Sequence, residues 1–241
     1  PDGLIERLDT YGLLSPRLSL AHGVWLKPQE CERLARRGVV LSVNPSSNLR
    51  LRSGTPTPDV FRACGLPLAV GLDGMSFDDD EDILRETRLF ARLAPGAGGR
   101  EGLSGAAVFD SLCRIGRQTL FGQDGGGRIA VGAPADMLVL DLAAMLPDDC
   151  GRAVEPMSLL LARMTKRHVH RLFVAGREIV RAGRCVSVDL PGLESDLLKQ
   201  ARVAAADRPV DYFRIARQQA AIRDFYLCGC HRRAPGSAVD T

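Results

Sequence analysis

Three short, mainly apolar runs alternate with helical text in the first third of the chain, and this constrains the fold more than any other feature. Leu18-Ser19-Leu20-Ala21, Val39-Val40-Leu41-Ser42-Val43 and the run at 68–72 read as strands. Between and after them, residues 28–37, 56–64 and 80–93 read as helices. Pro28 suits a first helical turn, Gly65 a stop, and the acids at the start of 80–93 suit the positive end of a helix dipole. A strand exposed on one face would alternate apolar and polar residues. These do not, so both faces are expected to be covered, as in a parallel sheet flanked by helices. In such folds the chemistry gathers where strands end and loops begin. His22 and Asp73 both stand at such ends.

The remaining text is organised differently. Residues 4–14 and 103–122 read as helices. From Gly125-Gly126-Gly127 onward the chain reads as a small β unit. It contains a strand at 137–142 and a hairpin in which 168–174 and 178–180 flank Ala175-Gly176. Residues 191–226 read as two helices divided near Pro209, followed by a polar tail. The boundaries predicted on this basis are 1–124, 125–187 and 188–241. The chain starts with Pro1 inside helical text, and the expectation is that an upstream part of a longer protein precedes it.

Composition excludes several classes. The 241 residues are 45% hydrophobic and 25% charged, close to the globular average, and the net charge is +3 with both signs mixed. No basic stripe with interleaved aromatics points to a nucleic-acid polymer. The apolar runs are far short of a membrane span. Seven cysteines, an odd number and mostly scattered singly, suit reduced thiols in a cytoplasmic protein better than a disulfide framework.

An acid directly after an apolar strand, as in Val70-Gly71-Leu72-Asp73-Gly74, is costly to bury unless it is paired or holds a metal. It is also a common turn residue. A lone His, as in Ala-His-Gly-Val-Trp-Leu at 21–26, is more often structural. The segment Ser42-Val43-Asn44-Pro45-Ser46-Ser47-Asn48-Leu49 reads by itself as a polar loop.

In this order and spacing, the three segments together resemble the amidohydrolase superfamily, in its cytosine-deaminase, guanine-deaminase and chlorohydrolase branch. There, strand six ends in a His followed by a Val-Trp-Leu type stretch, and strand seven runs into Ser-His-Asn-Pro-x-Ser-Asn-Leu. Strand eight ends in Gly-Thr-Asp-Gly before a helix with a conspicuous Glu, where Glu86 stands here. The resemblance runs from about residue 18 to 90. It resumes at Gly127-Arg128-Ile129 and the Ala135-Asp136 stretch, which looks like the entry to the family's composite β-sandwich. Phe173-Val174-Ala175-Gly176-Arg177 resembles that sandwich's closing hairpin.

The resemblance implies an α/β fold: the last strand–helix units of a partial (β/α)8 TIM-type barrel, plus the C-terminal part of the sandwich. It implies Asp73 as metal ligand and proton acceptor, and His22 as the imidazole beside the water or the developing anion. Trp25 and Asn44 are implied as substrate contacts. The implied cofactor is one divalent ion, zinc or iron, whose other ligands are expected upstream. It would make hydroxide available near neutral pH. The implied activity is hydrolysis of a non-peptide C–N bond in a small molecule, a deamination of an aminated heterocycle or amidine. The alternatives are a hydrolytic dechlorinase and an inactive half-barrel serving as scaffold or subunit. A homo-oligomer is left open.

Val43 stands where the branch has a His and Leu72 where it has a Thr. Two other clusters carry ligand types. His168-Val169-His170 has the spacing that puts two His on one strand face, but its place belongs to the sandwich and no metal is expected there. Cys228-Gly229-Cys230-His231 lacks the second paired half of a zinc site.

Overall fold

The computed structural model describes residues 3–74, 80–94, 102–122, 125–146, 155–207 and 210–228. They fall into two compact units, residues 1–187 and residues 188–241.

The first unit opens with α1 (Leu4–Thr10). Then β1 (Ser19–Ala21), β2 (Val40–Val43) and β3 (Leu68–Val70) form a sheet in that order, all parallel, with Ser19 opposite Val40 and Leu41 opposite Leu68. Each strand leads into a helix: α2 (Pro28–Arg36) after β1, α3 (Pro45–Leu51) and α4 (Pro58–Ala63) after β2, and α5 (Ile83–Leu93) after β3. The apolar text of β2 has its cause in this layering, whereas Ser19 and Ala21 of the edge strand β1 stay exposed. Leu41 and Val43 on one face of β2 join Leu34, Phe61, Leu68 and Phe90 in the main core. Val40 on the other face meets Ala69 and Ile115. A central parallel strand has no solvent face to spare.

Local chemistry sets the boundaries. The helix predicted over 4–14 ends at Thr10, because Gly12 turns the backbone to φ +68°. Asp82 caps α5 by accepting from the backbone N–H groups of Leu84 and Arg85, so that helix begins three residues later than expected. The segment 42–49, expected to be a loop, instead enters α3. Pro45 occupies the first helical turn, where its missing N–H is no loss. The helix predicted over 103–122 has three parts: α6 (Gly105–Asp110), a π-helical stretch Ser111–Ile115, and α7 (Gly116–Phe121).

A second sheet lies in the same unit. Strands β4 (Met137–Leu140), β5 (Val169–Val174), β6 (Arg177–Arg181) and β7 (Arg184–Cys185) pair antiparallel in sequence order. Ala175 and Gly176 both adopt positive φ, the geometry of a tight hairpin. Helices α8 (Leu142–Met145) and α9 (Pro156–Arg163) connect β4 to β5. Met145 and Met164 pack on Leu84 of α5, with Leu140 and Val169 against them.

The second unit holds α10 (Leu190–Asp207) and α11 (Tyr212–Leu227). None of its described residues is buried. Among the described residues, no helix is long and apolar enough to cross a membrane.

Candidate active site

The site is built from residues just beyond the C-terminal ends of the three parallel strands. His22 leaves β1 at φ +71° and Asp73 comes after β3 at φ +74°, both in the left-handed region that side chains other than glycine rarely adopt. Such residues cost on the order of 1–3 kcal/mol each and persist where surrounding contacts hold them. His22 is held by its backbone N–H, which donates to the Ser42 carbonyl at 2.8 Å, extending the β1–β2 ladder by one bond. The result brings the two side chains together: His22 Nε2 lies 3.9 Å from Asp73 Oδ2, with both side chains about one-third exposed.

Helix α3 supplies the partners. Ser47 Oγ donates to Asp73 Oδ2 at 2.6 Å, and Asn48 Oδ1 lies 3.1 Å from His22 Nδ1. Ser47 and Asn48 are fully buried, as is Glu86 of α5. Glu86 Oε1 accepts from both the backbone N–H and the hydroxyl of Ser46, at 2.9 and 3.1 Å. That carboxylate at the start of α3 suits the positive end of the helix and ties α3 to α5. Three consecutive residues, Ser46, Ser47 and Asn48, therefore anchor the helix and orient two titratable groups.

Trp25, in the loop after β1, is 83% exposed and lines a cavity of about 470 Å³ together with His22, Leu4, Val24, Leu51 and Asn48. Asn44 is not in that lining. It lies at the N-cap of α3, buried, with its amide against Gly71, where a Cβ would come within 2.8 Å of Asn44 Nδ2. Its Oδ1 is buried without a hydrogen-bond partner.

The His168–His170 pair does not share a strand face. His168 ends a 3-10 turn, Lys166–His168, and its Nδ1 accepts from the backbone N–H of Thr165 at 3.0 Å. Only His170 belongs to β5. Of the cysteine cluster, Cys228 is described and exposed, and its thiol donates to the Phe225 carbonyl at 3.0 Å; the other three residues lie outside the described residues. Among the described residues, no three His, Cys, Asp or Glu side chains gather to hold a metal.

Residues 2–179 match the profile of the Amidohydrolase family. The chain belongs to this family. The 5'-deoxyadenosine deaminase of Methanopyrus kandleri is 31% identical over 188 residues, which is 77% of this amidohydrolase chain and 42% of the relative. A 5-methylthioadenosine/S-adenosylhomocysteine deaminase of Nitratidesulfovibrio vulgaris is 35% identical over 209 residues, covering 81% and 43%. Among solved structures, an adenosine deaminase from Xanthomonas campestris with bound zinc superposes with a TM-score of 0.74 at 27% identity, covering 83% of this chain and 45% of that one. The atrazine chlorohydrolase of Arthrobacter aurescens shares the fold, with a TM-score of 0.67 at 22% identity over 78% and 42% of the two chains. The chain thus spans less than half the length of these relatives.

Taking the segment 42–49 for a loop misses Ser47 and Asn48 as site residues. The signal lies in Asn44-Pro45: a cap residue before a proline begins a helix, and a helix fixes which of the next residues face the strand ends.

Proposed function

We propose that this chain is the C-terminal part of a metal-dependent deaminase that releases ammonia from an aminated heterocycle of nucleoside or base type. The observation that carries this reading is the opposition of His22 and Asp73 beyond the ends of parallel strands, in a chain of this family. The related deaminases are named for adenosine-type compounds, and this supports the substrate class. In this reading the three parallel strands are the last three of a (β/α)8 barrel. Residues 125–187 are the C-terminal part of a composite β-sandwich, and α10 and α11 belong to a separate region, 188–241.

The net reaction replaces an amino group by oxygen: water adds to the carbon bearing the amine, and ammonia leaves. Asp73 takes the water's proton and passes it towards the departing nitrogen. His22 stands beside the same point and exchanges a proton or hydrogen bond with the oxygen that adds. Ser47 holds Asp73 in place through Oδ2. Trp25 offers an exposed ring face at the cavity wall for a flat heterocycle. Asn44, buried and outside that cavity, would act by packing against the strand end at Gly71 rather than by touching substrate.

The donor types fit a divalent zinc or iron ion. A carboxylate and an imidazole facing each other are ligands such ions take, and catalytic sites use three protein ligands or more. Asp73 would ligate the ion with His22 at its edge, and we place the remaining ligands outside these 241 residues. The ion would supply the Lewis acidity that makes water a nucleophile at neutral pH. Residues 1–241 alone would then be catalytically silent. Seven cysteines, odd in number and mostly scattered singly, support a cytoplasmic setting.

The test compares residues 1–241 with a form extended upstream to the length of the relatives. Both are assayed for bound metal and for ammonia release from a panel of aminated purines and pyrimidines. Metal and turnover in the long form with silence in the short one supports the reading. Stoichiometric metal and turnover in residues 1–241, or a folded, metal-loaded long form that releases no ammonia from any member of the panel, contradicts it.

A further inference from the structure

We propose that Asn48 is a positioning residue that places the proton of the neutral His22 ring on Nδ1 and thereby turns the lone pair of Nε2 towards Asp73. This rests on the catalytic role proposed for His22, and it adds which end of the ring carries the proton. An amide oxygen 3.1 Å from a ring nitrogen is favourable when that nitrogen bears a hydrogen; facing a second lone pair it would be repulsive. The partner of one ring nitrogen decides what the other presents.

Asn48 is itself committed at both ends of its amide. Its Nδ2 donates to Ser53 Oγ at 3.2 Å while Oδ1 faces the ring. The backbone closes the same loop, since Ser53 N–H donates to the Asn48 carbonyl at 3.1 Å. The side chain is 1% exposed, so water does not compete for either end. The helix that carries it is anchored two residues earlier, where Ser46 donates twice to Glu86. The backbone that carries the ring is held by the strand-like bond from His22 N–H to the Ser42 carbonyl. With Nδ1–H occupied, neutral Nε2 accepts before it donates.

The test needs no catalysis. Residues 1–241 are labelled with 15N-histidine, and long-range 1H–15N correlations are recorded at alkaline pH, where the rings are neutral. The chain has four histidines, and a His22→Gln variant assigns the signal. In the unaltered chain we expect pyrrole-type Nδ1 and pyridine-type Nε2 for His22. In Asn48→Leu the proton shifts to Nε2, the form that free histidine favours. In Asn48→Asp, which keeps an acceptor oxygen, it stays on Nδ1. An Nε2–H ring in the unaltered chain overturns the proposal. So does a folded Asn48→Leu chain with an unchanged ring. If Asn48→Leu does not fold, the unaltered chain and Asn48→Asp decide the matter. The ring state is read whether or not the long form releases ammonia, so the two claims fail separately.

Discussion

The two sheets of the first unit are made from the same apolar residue types and bury them very differently. In β2, Val40, Leu41 and Val43 are at most 2% exposed, whereas Met137, Leu138 and Val139 of β4 are 38–43% exposed. Packing on both faces encloses the central strand β2, whereas the edge strand β1 leaves Ser19 and Ala21 exposed, and the antiparallel sheet lacks such cover along β4. The consequence reaches the histidines. His22 leaves the edge strand β1, is tied to β2 by its backbone N–H, keeps a left-handed backbone and faces a carboxylate. His168 enters the open sheet through a short turn and satisfies its ring within that turn. Residue type and spacing alone therefore do not bring side chains together; strand ends that face one another do.

The strongest way to break the comparison is to exchange the histidines' importance. In the long form, Asp73→Asn and His22→Ala should each lower ammonia release on the order of 10²–10⁴-fold, the usual contribution of a general acid or base. His168→Ala and His170→Ala should leave turnover unchanged. An inverted pattern would move the site to the second sheet.

The next effect is on stability. Leu41→Ala should cost about 2–5 kcal/mol in urea unfolding, because the side chain is fully enclosed. Val139→Ala, at a half-open position, should stay within about 0.5 kcal/mol. Equal losses would show that the second sheet is as tightly covered as the first. A smaller change is expected for Glu86→Gln, which weakens two charge-assisted bonds to Ser46 and should cost about 1–3 kcal/mol. Turnover in the long form should fall with it, since α3 holds both Ser47 and Asn48.

The smallest effect concerns a thiol. Burial, then the negative charge of the Cys64 thiolate nearby, pushes Cys31 up from 9.0 to about 11. The folded state thus favours the neutral thiol. Its stabilising contribution is complete below pH 9.0 and is lost as pH rises through about 11. Denaturation midpoints taken across that window should fall less steeply in Cys31→Ala than in the unaltered chain. Identical slopes would show that the thiol ionises as freely in the fold as out of it.

Much of this was legible in the chain. The three parallel strands were, because their runs are apolar on both faces and are bracketed by helix starts and stops. His22 and Asp73 were, from their places at the strand ends. Of helix α3 only the start is marked, by Asn44-Pro45; its body is hidden, because Ser46, Ser47 and Asn48 are polar residues in a helix interior whose hydrogen bonds go to partners far along the chain, at Glu86, Asp73 and His22. Local propensity sees a loop there; tertiary contacts make a helix. The π-helical stretch at Ser111–Ile115 was hidden for a similar reason, since nothing in its residue types departs from an ordinary helix. The turn that removes His168 from β5 depends on a bond from Thr165, three residues away, that the His-x-His spacing does not reveal.

The central claim is that His22 and Asp73 are this chain's share of a metal-dependent hydrolytic centre. Anomalous scattering at the zinc edge, from crystals of the long form loaded with zinc, tests it most directly. The account predicts a peak about 2.0–2.2 Å from an Asp73 carboxylate oxygen, with His22 Nε2 facing it. A fully occupied zinc that Asp73 does not ligate, whether at His168 and His170 or elsewhere, would contradict it.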